Sequence, residues 1–211
     1  MKNIICFTLF VLCFIMTAAA KTKGQRVILT LTSDSVVYGY LRWPIAECEY
    51  DKFKVKKDFD SEYRTFKSCD IKKMLVIENE NDTVLYIPVT VQWDGDKKPD
   101  STPAILSPVY ESANCKAYVD PNVYTKRNAI GWETVKESYI YYLALKKDNF
   151  VAKPYFHTMP GNDKAAMRQL IKRFKAYPEF KGILDSRGIT KEQICNDPTL
   201  IPKILDEIIE K

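Results

Sequence analysis

Among the residue types able to do chemistry, the one histidine of the chain, His157, stands in the run Tyr155-Phe156-His157-Thr158. An imidazole becomes a general base only beside a Ser or Cys nucleophile and with a third group to orient it. No Gly-x-Ser-x-Gly occurs and no cysteine has a recognisable catalytic context, so His157 reads as a half-exposed residue at a strand end. Asp94, Asp96 and Asp100 in the stretch DGDKKPD offer oxygen ligands at nearly alternate positions, as a hard cation requires. The later Glu is missing, the glycine is misplaced, and Lys97 and Lys98 oppose a second positive charge, so this stretch reads as a connecting loop. Glu78, Glu80 and Asp82 read the same way, as a solvated turn. Neither Gly-x-x-x-x-Gly-Lys nor Gly-x-Gly-x-x-Gly is present, which removes the usual phosphate cradle, and neither a cofactor nor a metal is expected. A carboxylate pair of the glycosidase kind is a spatial feature, and the sequence favours none.

Six cysteines occur, two of them, Cys6 and Cys13, inside the opening MKNIICFTLFVLCFIMTAAA. That opening has one positive charge at Lys2, an apolar run over 4–16 and a small-residue stretch ending at Ala20, the layout of a secretory signal peptide over 1–20. A run of this length in a helix would span about 20 Å, short of the roughly 30 Å hydrocarbon core, so no transmembrane segment is expected after cleavage. The expected location is exported: periplasmic, cell-surface or secreted. The mature chain then keeps Cys48, Cys69, Cys115 and Cys195, an even number in an oxidising compartment. Sequence cannot choose among the three pairings; the preferred one is Cys48 with Cys69, close in the first β unit, and the alternative is four buried free thiols.

The 32 basic and 27 acidic side chains give a net charge of +5 in 211 residues. The basic clusters, such as Lys54, Lys56 and Lys57, alternate with apolar residues as solvated faces do, and nucleic acid is not an expected partner. Aromatic residues are abundant, with 13 Tyr, 10 Phe and three Trp. Tyr38, Tyr40, Trp43 and Tyr50 lie close together in the front half, and Tyr139, Tyr141 and Tyr142 in one later strand. Alternate aromatics on a strand cannot all face one way, so either both faces are covered or some rings are displayed; displayed Tyr and Trp suit recognition of a protein, peptide or glycan. Asn81-Asp82-Thr83 also fits the Asn-x-Thr glycosylation rule.

The elements that must position these residues are short strands first and helices last. Residues 26–41 read as a hairpin turning at Ser33-Asp34-Ser35; further runs follow at 50–55, after Arg64, and at 83–91. Five short strands in this space predict a strongly bent barrel or a rolled sheet over 21–93. The stretch WDGDKKPDSTP over 93–103 is the best candidate boundary, and 104–211 reads as antiparallel strands followed by C-terminal helices. There, 104–119 holds one or two strands, 120–133 reads as mostly irregular, 137–146 is the strongest strand, and 150–157 completes a hairpin. Asn162 or Asp163 caps a helix with Ala166, Met167, Leu170, Ile171, Phe174 and Tyr177 on one face. Thr190-Lys191-Glu192-Gln193 has capping-box spacing, and Asp197-Pro198 opens a last helix with a stripe of Leu200, Ile201, Ile204, Leu205, Ile208 and Ile209.

The residues Val27-Ile28-Leu29-Thr30-Leu31, then Asp34-Ser35-Val36-Val37-Tyr38-Gly39-Tyr40-Leu41, then Cys69-Asp70-Ile71-Lys72-Lys73-Met74, resemble the pattern of certain exported bacterial proteins of unknown function whose front half is similar to a small SH3-like barrel. The similarity extends to Phe174-Lys175-Ala176-Tyr177-Pro178-Glu179-Phe180 and departs at Asp34-Ser35, where glycine is usual. The resemblance implies architecture and compartment and nothing catalytic. The expectation is therefore an α+β protein, with a small SH3-like β-barrel or rolled sheet, further antiparallel strands and two or three C-terminal helices. Its expected function is a non-catalytic binding or interaction module of the bacterial envelope; the second reading is an envelope hydrolase acting on glycans or peptides through a carboxylate pair.

Overall fold

The structure, a computed structural model, describes residues 24–49, 51–79, 82–128, 131–158 and 163–210. The signal-peptide segment 1–20, Tyr50, Glu80, Asn81 and Asn162 lie outside the described residues. Strands β1 (Arg26–Leu31) and β2 (Val36–Leu41) form the expected hairpin, with Ile28 opposite Tyr38. Its turn needs a left-handed residue, and Asp34 supplies it at φ 62°. Asp tolerates this conformation better than most residues, and Lys72 Nζ stands 2.7 Å from its carboxyl, so glycine is dispensable here.

The chain continues through β3 (Lys52–Lys56), β4 (Arg64–Lys67), β5 (Ile71–Asn79), β6 (Asp82–Val89), β7 (Ala104–Glu111), β8 (Cys115–Asn128), β9 (Gly131–Leu145) and β10 (Ala152–His157). Four helices close it: α1 (Asp163–Arg173), α2 (Glu179–Ser186), α3 (Lys191–Asn196) and α4 (Leu200–Ile209). The α+β class stands, with one helix more than expected. All strand pairs are antiparallel in the order β10-β9-β8-β7-β6-β5-β1-β2-β3-β4. The barrel expectation fails. Closing the front strands would require β6 to pair with β4, and that edge of β6 is taken by β7 through Ile87 opposite Leu106. The sheet therefore stays open and runs on across the 93–103 loop. Residues 120–133 also differ from expectation, because β8 and β9 pair along a long hairpin from Cys115 opposite Leu145 to Asn128 opposite Gly131. Val123, Tyr124 and Thr125 favour extended backbone, and pairing overrides the local turn formers.

The two faces of the sheet are covered differently along its length. On the first face, Val27, Leu29, Leu41, Phe53, Val55, Phe66, Met74, Val76 and Tyr86 from β1 to β6 are all buried and pack together. No α-helix shares this cluster; besides the strands, Ile45 and Cys48 at the 3₁₀ turn Ile45–Glu47 pack against it. At Gly39, β2 approaches β3 too closely for a side chain. A Cβ on it would lie 2.3 Å from the Lys56 carbonyl oxygen and 2.7 Å from Val55 Cγ1. Gly39→Ala is expected to cost about 2 kcal/mol, read as a lower urea or thermal midpoint, because backbone and not a flexible side chain must move.

Over β7 to β10 the same face is covered by the helices. Tyr141, Leu143, Tyr155 and Phe156 meet Leu170, Phe174, Phe180, Leu184, Ile194, Ile201, Ile204 and Leu205 in one cluster, so the apolar stripe of the last helix is buried on the sheet as expected. Thr190 and Gln193 form the expected capping box, with the Thr190 hydroxyl accepting from the Gln193 N–H. At α4 the boundary slips: the helix starts at Leu200, and Asp197 holds the preceding turn by accepting from the Thr199 N–H at 2.8 Å and hydroxyl at 2.6 Å. Asp206 on α4 is 6% exposed; it accepts from the Tyr110 hydroxyl at 2.5 Å and the Ser112 hydroxyl at 2.9 Å, clamping α4 to the β7–β8 turn. On the second face, Val89, Leu106, Tyr118, Tyr142 and Ala144 form a third cluster. The chain after β6 crosses it, and Val91 makes a parallel bridge to Ala152, partly shielding the edge of β10.

Candidate functional site

The second face of β1 to β5 has no such cover. Because side chains alternate along each strand, the residues between the buried ones point away from the core. Leu85, Leu75, Ile28 and Tyr38 fall into one cross-strand row, since Leu75 is opposite both Leu85 and Ile28 and Ile28 is opposite Tyr38. Tyr38 is 65% exposed and Leu85 38%. A neighbouring row holds Ile77, Arg26, Tyr40 and Lys56, and the row on the other side holds Lys73, Thr30 and Val36. The remaining outward positions of β3 and β4 are Lys52, Lys54, Thr65 and Lys67. No carboxylate occupies an outward strand position here. Lys52 has partners in Asp51 at 3.4 Å and Glu49 at 3.6 Å; Arg26, Lys54, Lys56, Lys67 and Lys73 have no ion pair among the described residues.

At the edge of this face, rings and cations alternate. The Arg42 guanidinium lies 5.4 Å from the Trp43 ring centre and 5.8 Å from that of Tyr63; Lys56 Nζ lies 5.4 Å from Tyr63 and 5.0 Å from Phe59. Phe59 in turn packs on Tyr40 with ring centres 4.6 Å apart. Such contacts order exposed side chains that would otherwise be mobile. The loop carrying Phe59 is itself held: the Asp60 N–H donates to Asp58 Oδ1 at 3.1 Å, the Asp58 N–H to the Ser61 hydroxyl at 3.0 Å, and Lys56 Nζ to the Phe59 carbonyl at 3.1 Å. The structure thus brings together Tyr38, Tyr40 and Trp43 of the expected aromatic group. Phe59 and Tyr63 escaped the sequence reading; the signal for them is two rings inside an otherwise polar loop. Tyr139, Tyr141 and Tyr142, by contrast, belong to faces covered by helices or by the crossing chain.

His157 is partly buried, and burial holds its imidazole below the ordinary histidine range. Its Nε2 stands 3.3 Å from the Ser138 hydroxyl, the one arrangement reminiscent of a nucleophile and base. Ser138 is 1% exposed, so a substrate has no access to it. Asp120 shares this sheet face but lies across the β9 strand, opposite Ile140, whose other neighbour is His157. Among the described residues no acid is placed to orient the pair. The DGDKKPD carboxylates diverge: Asp94 pairs with Arg173, and Asp100 accepts from the Thr102 N–H at 3.0 Å. Among the described residues no group of three His, Cys, Asp or Glu could hold a metal ion, and no helix is long and apolar enough to cross a membrane.

The preferred disulfide is not formed in this structure: no two of Cys48, Cys69, Cys115 and Cys195 stand at disulfide distance, and of the four only Cys115 is buried. Cys48 follows the 3₁₀ turn Ile45–Glu47 and donates to the Trp43 carbonyl at 3.6 Å, whereas Cys69 sits in the turn between β4 and β5 with its sulfur 3.8 Å from the Asp70 carboxyl. Burial, with Glu47 and Glu49 nearby, pushes the Cys48 thiol up to about 11, which keeps it protonated and poorly nucleophilic.

These features define an α+β protein with one uncovered sheet face that is basic, aromatic-edged and free of acids at its strand positions. Compared with protein-family models, curated proteins and solved structures, the chain matches none.

Proposed function

We propose that the protein is a non-catalytic binding module acting outside the cytoplasm, and that it works through the uncovered face of β1 to β5 on an acidic polypeptide segment. Export is supported by the layout of residues 1–20. The observation that carries the binding reading is the basic set Arg26, Lys54, Lys56, Lys67 and Lys73, without ion pairs among the described residues, around the apolar row Leu85, Leu75, Ile28 and Tyr38. An aliphatic row flanked by cations suits a chain that alternates apolar and acidic side chains. A glycan would want free flat rings, and here Arg42 and Lys56 already lie over them.

A short peptide alternating Glu and Leu, with its Lys-Leu counterpart, an anionic polysaccharide and a single-stranded oligonucleotide as comparators, tests this by fluorescence anisotropy. The Glu-Leu peptide is expected to bind tightest and to weaken steeply as ionic strength rises from about 0.05 to about 0.5 M. Trp43→Ala and Tyr38→Ala are each expected to weaken it by about tenfold. Equal binding of the Lys-Leu peptide, tighter binding of polysaccharide or oligonucleotide, or indifference to both substitutions would overturn the reading.

A further inference from the structure

On the first sheet face, where the front strands meet the helical layer, lies a cavity of about 420 Å³. This is within the roughly 300 to 1,000 Å³ typical of small-molecule sites. Tyr86, Val119 and Tyr141 come from strands of the sheet; the 3₁₀ turn Ile45–Glu47 and the segment between α3 and α4 complete the walls. Two hydrogen bonds fix those walls. The Ile45 N–H donates to Gln25 Oε1 at 2.9 Å, and the Tyr141 hydroxyl donates to the Cys195 carbonyl at 2.9 Å.

Among the described residues Glu78 is the one charged side chain that lines the cavity; the other polar lining side chains include Gln25, Ser107, Tyr86, Tyr139 and Tyr141. Tyr86 is 3% exposed, lines the cavity, and its hydroxyl has no hydrogen-bond partner among the described residues. Burial, then the nearby Glu78, push its phenol well up, so it stays a neutral hydroxyl able to donate and accept. Glu78 follows Met74 and Val76 on the same sheet face, reaches the rim, and has no ion pair among the described residues. Among the described residues no Lys, Arg or His lines the cavity, although the chain as a whole carries a net charge of +5.

We propose that this cavity binds a small organic cation with an apolar body, of the arylalkylammonium class, with the ammonium between Glu78 and Tyr86 and the ring over Val119 and Tyr141. An unpaired carboxylate at an apolar, tyrosine-lined opening attracts a cation and repels an anion of the same shape, and the tyrosine faces add cation–π attraction. The site is separate from the face proposed to bind a polypeptide.

Calorimetric titration of the whole protein with phenethylamine tests this, against 3-phenylpropionate and 2-phenylethanol as anionic and neutral comparators. Saturable binding of phenethylamine is expected, with 3-phenylpropionate at least about tenfold weaker. Glu78→Gln is expected to weaken phenethylamine by about tenfold or more and to remove its advantage over 2-phenylethanol. Glu78 is exposed, so this variant keeps the fold, which circular dichroism checks; Tyr86→Phe, buried, is expected to weaken binding a few-fold and serves as the second variant. Lys54→Glu and Lys73→Glu, which disrupt the basic face, are expected to leave phenethylamine binding unchanged. No saturable binding at millimolar phenethylamine, equal or tighter binding of 3-phenylpropionate, or unaltered binding by Glu78→Gln overturns the assignment.

Discussion

Asp206→Ala is expected to destabilise the protein by about 3 kcal/mol or more, measured as a shift of the urea midpoint at constant slope. The carboxyl is 6% exposed and collects donors from three residues: Tyr110 at 2.5 Å, Ser112 at 2.9 Å and the Cys115 thiol at 3.5 Å. Truncation removes the shared acceptor and strands the Tyr110 hydroxyl, while Ser112 and the fully buried Cys115 keep the Cys115 carbonyl at 3.2 Å and the Pro202 carbonyl at 3.8 Å, respectively. The Tyr110 phenol is held well above its ordinary range, first by its hydrogen bond to Asp206 and then by burial; Cys115 is pushed up to about 12, chiefly by burial. Both therefore remain protonated donors at neutral pH. The loss should appear as detachment of α4, since Asp206 is the polar tie between that helix and the β7–β8 turn. Asp185 provides the contrast. Its ion pair with Lys181 is 61% exposed on both sides, and Asp185→Ala should cost no more than about 0.5 kcal/mol. Equal costs for the two substitutions would show that the Asp206 clamp is not formed in solution.

Asp120→Asn is expected to make the protein more stable at pH 8 and to leave it nearly unchanged at pH 4. Burial raises the Asp120 carboxyl to about 7, and no side chain among the described residues pairs with it to offset that. The folded chain then holds a proton that the unfolded chain, with an ordinary value of about 4, has already released. Stability from this group is fully present below about pH 4 and is lost as pH rises to about 7, up to about 4 kcal/mol over the interval. Asn keeps the shape of the neutral acid and has no charge to bury, so the variant should escape that loss. Tyr142, beside Asp120 in its electrostatic surroundings, stays neutral throughout, pushed up mainly by burial. His157 acts in the opposite sense: burial lowers it, so its contribution is present above its ordinary value of about 6.5 and falls away on acidification. The difference between wild type and variant at each pH therefore isolates Asp120. Urea unfolding from pH 4 to pH 8 measures it, and a gap that does not widen with pH would exclude a desolvated Asp120 carboxyl.

What was legible in the sequence was local. The hairpin over β1 and β2, the Thr190–Gln193 capping box and the stripe of α4 each follow from residues a few positions apart. Of the candidate site, Tyr38, Tyr40 and Trp43 were legible because exposed aromatics on a two-faced strand need an explanation. Phe59 and Tyr63 were not, because their link to Tyr40 and Trp43 runs through Lys56 and Arg42 across a folded loop. Lys54 and Lys73 each looked like one cation on a solvated face. They share a surface only because β1 and β2 lie between β3 and β5 in the sheet.

By itself the sequence determined the strand-then-helix order, the α+β class, the amphipathic faces and the absence of recognisable catalytic or phosphate-binding motifs, since these depend on periodicity and short spacings. Only the tertiary structure decided that the sheet stays open, that Cys48 and Cys69 stand apart, that Asp206 is clamped while burial raises Asp120, and which sheet face remains uncovered. Those outcomes rest on pairings between residues far apart in the chain: once β7 takes the edge of β6, the sheet cannot close, and one face of β1 to β5 is left to solvent.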